Sequence, residues 1–596
     1  MNGDVMISLT TFRSAKLRTA TALVALAALT TTVAACGNSD SASDTKYGGT
    51  IEVGIFDTFP GFCVSNNPAN SALMAARTVY ETLFERLPNG EMTGLLARDA
   101  TATDDLKTWT VTLRDGITFH DGAAFNADAV VTNFNAITGR IAAAAFAADG
   151  LAGLGAKSYT IGTATAFTSN IVAFEATDES TVVFTLDRPQ NDFLATLYAS
   201  GRFFMRSPAQ LADSKTCAEQ AVGTGPYTLK SWTVTSMVVE KNPTYWRANP
   251  LNGETLPYLD QITFTNVKES SQRAASVRSG VLTAAMFASG SEATFIKDLR
   301  VRAEEVVEYR SPTEYYPSLW LNQGKPGSPF VEKSARDAVL SCLDRENYLK
   351  VRLSDEGTLA KSIVGSESDM YSTLNFPKYD VETAMTHVET YKDMTGKDSL
   401  SFVFPADTSS TSQANGRFLQ NMWKECNIDA EMIVEETAVL ISKAFNASPD
   451  LKKGQYYNAY DMLPLLVFEG NDVSFNLPFI VTNAYPSTST NPVKPLFENS
   501  VGAVLGLTHH SDTQVDEFFY KGQAATTSIE AKARYADGTA YIQKNSMVGA
   551  LAHVYYSVFV SPDLLGVGEL SIESGKTQRV VTNWGIDWTG VYINPD

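Results

Sequence analysis

Cys63, Cys217, Cys342 and Cys426 stand apart from one another, and none belongs to a Cys-x-x-Cys pair, so the ligand spacing of a zinc cluster is absent. A fifth cysteine, Cys36, closes an apolar leader. Setting it aside leaves an even number, which in an exported chain points to disulfides with three possible connectivities. The histidines are His120, His387, His509, His510 and His553, and none forms His-Glu-x-x-His. His509 and His510 are adjacent, and on a strand their rings point to opposite faces, a poor chelate. Ser43 and Lys46 match a Ser-x-x-Lys spacing but fall in a Ser/Asp-rich segment that cannot preorganise a base. Gly150, Gly153 and Gly155 crowd an Ala-rich stretch without the spacing of a phosphate loop. No Gly-x-Ser-x-Gly elbow occurs. These patterns predict neither an enzyme nor a metal or cofactor site.

The leader is more informative. Arg13, Lys16 and Arg18 precede an Ala/Thr-rich apolar run too short for a comfortable membrane span. Val33-Ala34-Ala35-Cys36 then resembles a lipobox, in which the cysteine is acylated and becomes the mature N-terminus. Residues 1–35 are thus expected to be a lipoprotein signal peptide. The Gly/Ser/Asp-rich stretch 36–48 has almost nothing to bury and reads as a flexible tether. The expected location is the extracytoplasmic face of the cell membrane, through a lipid anchor. The full chain carries a formal charge of −19, and the leader is basic, so the remainder is more acidic still. That argues against nucleic acid or anionic lipid held on a broad basic patch. Some 550 residues beyond the tether are too many for one core and predict two or three domains.

The elements alternate irregularly. Gly49–Ile55 and Thr108–Leu113 alternate as strands, the second closed by Arg114-Asp115-Gly116. Residues 71–86 read as one amphipathic helix. Asn126-Ala127-Asp128 is a plausible cap for a helix over 126–137. Residues 136–176 are Ala/Gly/Thr-rich and look like an insertion, and Ser180–Leu186 restores a strand. Such irregular alternation fits several mixed-sheet α/β domains better than a barrel.

A series of blocks carries a resemblance. Val79-Tyr80-Glu81-Thr82-Leu83-Phe84-Glu85 comes first, then Leu95-Leu96-Ala97. Trp109 to Gly122 follows, containing Arg114-Asp115-Gly116 and His120-Asp121-Gly122, and Phe125 to Val130 continues it. Then come Gly223-Thr224-Gly225-Pro226-Tyr227, Lys241-Asn242-Pro243-Thr244-Tyr245-Trp246 and Leu256-Pro257-Tyr258-Leu259-Asp260. Leu321-Asn322, Ala335-Arg336-Asp337-Ala338 and Leu343-Asp344-Arg345 complete the order. In this order the blocks resemble the extracytoplasmic solute-binding proteins of family 5, the substrate-binding lipoproteins of peptide- and nickel-type ABC importers. As residues, the blocks suit scaffolding: glycines for tight turns, a fixed φ at Pro226, large apolar area from Trp232, Tyr245 and Trp246. Two departures bear on ligand class. Ser279-Gly280 runs into Val281–Met286 without the acidic residue usual there, and Gly470–Asn476 replaces the usual acidic motif of the third domain.

The resemblance implies a two-lobed periplasmic-binding-protein-like fold (type II, cluster C) with an extra domain in the first lobe. Lobe one would comprise 49–76, 204–310 and 556–596, the extra domain 77–203, and lobe two 311–555. The crossings would fall near Tyr309–Tyr316 and Ala552–Tyr556. It implies hinge closure on a peptide or other small solute, then delivery to an ABC permease and ATPase complex by a monomer. Asp472 would face the ligand's cationic end, beside Asn471. Trp320 and Asn322 after the first crossing, and Phe59, Pro60 and Phe62 after the first strand, would line the cleft, core packing being the competing role for each. The placement of the cysteines by this analogy favours Cys63–Cys217 and Cys342–Cys426. The alternative function is a scaffold or regulatory lipoprotein that kept the fold without import.

Overall fold

The computed structural model describes residues 46–64, 70–87, 89–138, 167–213, 216–311, 316–373, 376–436, 439–440, 443–444, 459–467, 473–482, 506–569, 571–573, 576–577 and 585–595. Alternating apolar residues build its largest sheet. In spatial order its seven strands are Val307–Arg310, Tyr556–Val560, Ala284–Ala288, Thr50–Ile55, Gln261–Asn266, Ser236–Lys241 and Tyr227–Thr233. The first strand of the chain, with Ile51, Val53 and Ile55 buried, lies centrally and pairs in parallel with Gln261–Asn266 and Ala284–Ala288. Its neighbours on both sides then turn antiparallel.

A second, four-stranded antiparallel sheet orders Ala97–Ala102, Thr108–Leu113, Thr181–Leu186 and Ile171–Asp178. Trp109 faces Phe184 in register, and Phe184 packs against Phe134 of the helix Ala127–Ile137. Asn126 caps that helix by accepting the Ala129 N–H. A third body carries a three-stranded sheet of Met462–Val467, Tyr316–Leu321 and Val548–Ala550. It also holds a parallel pair, Leu400–Asp407 with Ile428–Glu435, and the helices Lys333–Ser341, Val381–Thr395 and Ser410–Glu425.

Three expectations change. The helix expected over 71–86 covers only Asn70–Ala76, and Phe84–Arg86 is a strand. Between them the backbone is claimed by distant partners: Gly225 N–H and Tyr227 N–H donate to the carbonyls of Val79 and Thr78, and Met205 N–H to that of Glu81. These long-range bonds, with β-branched Thr78, Val79 and Thr82, outweigh helical periodicity. Second, Gly223 and Gly225, read as a flexible pair suited to a chain reversal, answer a steric demand instead. A Cβ on either would sit within 2.1 and 2.7 Å of the Val79 and Thr78 carbonyl oxygens, so close backbone approach demands glycine. The tight-turn glycines Gly116 and Gly122 do take positive φ, 75° and 84°. Third, the strand Ile171–Asp178 occupies the end of the stretch read as an insertion, whose residues 139–166 lie outside the described residues.

Candidate functional site

The strands Thr50–Ile55, Gln261–Asn266, Ala284–Ala288 and Val307–Arg310 run the same way and end on one edge of the large sheet. The chain leaves that edge after Arg310 to enter the three-stranded sheet at Tyr316, and returns from Ala550 to Tyr556. Ser311 N–H donates to the Tyr556 carbonyl at 2.8 Å, tying the two crossings together. The crevice between the sheets therefore opens at the carboxyl ends of parallel strands, where α/β proteins place ligands.

On the first wall, Phe56 stacks on Tyr556 with ring centroids 6.4 Å apart and planes 9° from parallel. Asp57 follows. Its carboxylate accepts the Ser71 N–H at 2.9 Å and the Ser71 hydroxyl at 2.7 Å, while Ser71 Oγ accepts the Phe56 and Asp57 N–H groups. Burial pushes the Asp57 carboxyl up to about 6, against the lowering effect of these bonds and of Arg273. Arg273, fully buried, donates to the carbonyls of Met286 at 2.9 Å and Val267 at 2.6 Å, and pairs with Glu292. Glu292 in turn accepts the Ala288 N–H at 2.8 Å. One arginine thus ties together the ends of two strands, Gln261–Asn266 and Ala284–Ala288.

On the opposite wall, Tyr316 is in register with Val467. Val467 therefore ends its strand beside the start of Tyr316–Leu321. Asn471 and Asp472 lie outside the described residues. Trp320 is buried on the sheet face opposite Leu319 and Leu321, in register with Leu463 and Val548, and its indole N–H has no hydrogen-bond partner among the described residues. Asn322 is buried with its amide engaged: Nδ2 donates to the Tyr460 carbonyl at 2.9 Å, and Oδ1 accepts the N–H groups of Gly324 and Lys325 at 3.0 Å. Phe59 and Phe62 are buried in the first lobe, Phe62 against Tyr80 and Trp232. Pro60 is exposed between them.

Cys63 is bonded to Cys217, and Cys342 to Cys426. The second bridge joins the C-terminal ends of the helices Lys333–Ser341 and Ser410–Glu425. His509 and His510 lie outside any helix or strand, with φ of 44° at His509. No group of metal-ligating side chains occurs among the described residues.

Among the described residues the lobes touch near the crossings and again through the four-stranded domain. Near the crossings, Arg300 forks onto Glu308 at 2.7 and 2.8 Å and reaches Glu356 of the other lobe at 2.6 Å. Lys297 donates to the Ser354 carbonyl beside it. Elsewhere the four-stranded domain meets lobe two directly through Asn191, whose side chain donates to the carbonyls of Gly522 and Ala525. A small polar cavity ringed by Arg77, Glu81, Glu85, Arg247 and Asp587 sits away from the crossings and belongs to no interlobe contact.

Sequence reasoning missed Asp57, Arg273 and the Arg300–Glu308–Glu356 network. Asp57 had a signal, a carboxylate directly after an alternating strand. The network had none, because its members meet only through the fold.

A family model described as bacterial extracellular solute-binding proteins, family 5 Middle, matches residues 91–472. The glutathione-binding protein GsiB of Escherichia coli K12 is 32% identical over 291 residues, 48% of this chain and 51% of GsiB. The match spans about half the length of such curated relatives. Two solved structures share the architecture at 18% identity and a TM-score of 0.71, each over 92% of this chain. One is the binding protein AgaA from A. tumefaciens R10 with agropinic acid, covered over 99% of its length. The other is DppA from Helicobacter pylori with the peptide STSA, covered over 98%. With two lobes, two crossings and a family match over most of its length, this chain belongs to family 5 of the bacterial extracellular solute-binding proteins, which serve ABC importers.

Proposed function

We propose that the protein captures a peptide or similar small solute in the interlobe crevice and hands it to a membrane permease and its ATPase, working as a monomer held to the extracytoplasmic membrane face by acylated Cys36. In this reading lobe one is 49–76, 204–310 and 556–596, the extra domain is 77–203, and lobe two is 311–555. The observation that carries it is the position of the crevice. Both crossings and four parallel strand ends converge there, with Phe56 stacked on Tyr556 and Asp57 next in the chain. Asn471 and Asp472 follow the strand that exits on the opposite wall, so an acid there would pair with a cationic ligand end. Trp320 and Asn322 shape that wall, and Phe59 and Phe62 support the facing loop.

The relatives bind different solutes by their printed names: glutathione for GsiB, the peptide STSA for the H. pylori protein. Native mass spectrometry of protein purified without refolding tests the proposal. A peptide or small solute that dissociates on activation is the expected result. Protein that carries nothing and binds nothing in calorimetry against a broad peptide and solute set would instead favour the scaffold role.

A further inference from the structure

Lobe two lays its loop 353–359 against both lobe one and the returning crossing. Ser354 and Asp355 are non-glycine residues with φ of 50° and 59°, the left-handed region that L side chains seldom enter. Gly357 follows with φ of 112°, and a Cβ there would lie 2.3 Å from the His553 carbonyl oxygen. Thr358 and Leu359 then pair with His553 and Ala552 of the returning crossing. Two successive left-handed residues persist only where their surroundings hold them in place.

The helix Ser289–Arg300 of lobe one supplies those surroundings. Lys297 donates to the Ser354 carbonyl, and Thr294 Oγ1 lies 3.4 Å from Ser354 Oγ. Arg300, the last residue of the helix, reaches Glu356 at 2.6 and 3.4 Å while forking onto Glu308 at 2.7 and 2.8 Å. Glu308 lies on the strand that leads into the first crossing. It also accepts the hydroxyl of Ser557, on the strand that follows the second, at 2.7 Å. Burial alone would raise the Glu308 carboxyl, but the bonds from Arg300 and Ser557 bring it below its usual range. The Arg310 guanidinium stacks 3.9 Å over the Tyr555 ring, joining the two crossings once more. The first turn of the same helix carries Glu292, the partner of Arg273. One helix about 18 Å long thus runs from the strand ends to the lobe-two loop.

We infer that Arg300 is a charge pin of the hinge: it neutralises one carboxylate on each lobe beside the crossings, and through Glu356 it sets how freely the lobes swing. This goes beyond the importer reading, because it concerns how the lobes move whatever the crevice takes. The reason is electrostatic. One guanidinium sits between Glu308 of lobe one and the buried Glu356 of lobe two. Without its charge the two carboxylates become like neighbours that solvent screens little. The loop also loses a contact that offsets its left-handed backbone. The lobes then part at the crossings more readily. A solute's apparent affinity scales with the population of the arrangement that binds it, so Arg300 sets affinity without touching solute. It is a positioning residue.

Amide hydrogen exchange on the full mature chain, with no solute added, tests the pin. The reporter is the Asn191 N–H, which donates to the Gln523 carbonyl at the other interlobe contact, at 2.8 Å. The control is the strand Ser236–Lys241, inside lobe one. Arg300→Gln should speed exchange at Asn191 by about tenfold or more and leave the control strand unchanged. Adding Glu356→Gln to that variant removes the repulsion, and should bring Asn191 back to within about threefold of the parent. That recovery separates a charge pin from a merely structural contact, which a second substitution could only weaken further. Should Arg300→Gln loosen the control strand as well, Arg300→Lys takes its place. It keeps the charge but cannot fork onto two carboxylates, and should speed Asn191 alone by about threefold. No change at Asn191 in the variant read overturns the pin. Equal acceleration in Arg300→Gln and in the double variant overturns it too, and either result leaves the importer reading intact.

Discussion

Glu81 and Trp246 meet at 2.8 Å, the indole N–H donating to Oε2, although 165 residues separate them in the chain. The same carboxylate accepts the Thr224 hydroxyl at 2.9 Å and the Tyr245 hydroxyl at 2.7 Å. Three of the sequence blocks that mark the family thus converge on one buried acid, which burial pushes above the usual carboxylate range. Glu81→Ala would strand three buried donors and should destabilise the protein by about 3–5 kcal/mol, read by urea denaturation. A loss under about 1 kcal/mol would show that the convergence is incidental.

Asp57 gives a pH dependence with a definite sign. Its carboxyl titrates near 6 when folded, against an ordinary value of 3.8. Between those values the unfolded chain has lost the proton and the folded one keeps it. The contribution is therefore fully present below about pH 4 and is lost as pH rises through about 6. With Asp57 half-buried, the change should be about 1–3 kcal/mol. Asp57→Asn should flatten this part of the stability–pH curve, and a curve that keeps its slope would assign the effect elsewhere.

The Cys342–Cys426 bridge closes a span of 84 residues. Replacing both cysteines by serine should cost about 4 kcal/mol by chain entropy, less any strain relieved. Thermal unfolding of the variant beside the oxidised parent measures it. An unchanged melting temperature would mean that the two helix ends stay docked without the bond.

Asp472→Asn should weaken binding of a free-amine peptide by about 1–3 kcal/mol, the scale of a lost charged hydrogen bond. An N-acetylated peptide should be affected much less. Equal losses in calorimetry would take Asp472 out of the site.

Cys36→Ala should release the protein from membranes without unfolding it, since each buried CH₂ of an acyl chain contributes about 0.8 kcal/mol to anchoring. A variant that stays with the membrane fraction through a salt wash would reject the lipid anchor.

Much of the fold was legible in the sequence. The strands Thr108–Leu113 and Thr181–Leu186 alternate cleanly because one face of each is buried, and the ordered blocks identify the family. The helix read over 71–86 failed where Thr78 to Glu85 is held by backbone from 95–97, 205 and 225–227, partners no local pattern reveals. The site was far less legible. Phe62 reads equally as cleft lining and as core, and only its contacts with Tyr80 and Trp232 show how it packs. Arg273 sits in a helix without apolar periodicity, yet its guanidinium ties together two strand ends on either side of it in the chain.

The large sheet also dictates an order of events. The strand Tyr556–Val560 inserts between Ala284–Ala288 and Val307–Arg310, and Trp588 packs against Phe264 at 6.3 Å. A chain that emerges N-terminus first leaves two strands facing an empty lane until its final segment appears. The body between 316 and 550 has its sheet partners already at hand and can condense earlier. Nascent chains stalled short of residue 556 would carry one finished half and one with open strand edges. Open edges of that kind are prone to mispairing, and the last segment is what closes them.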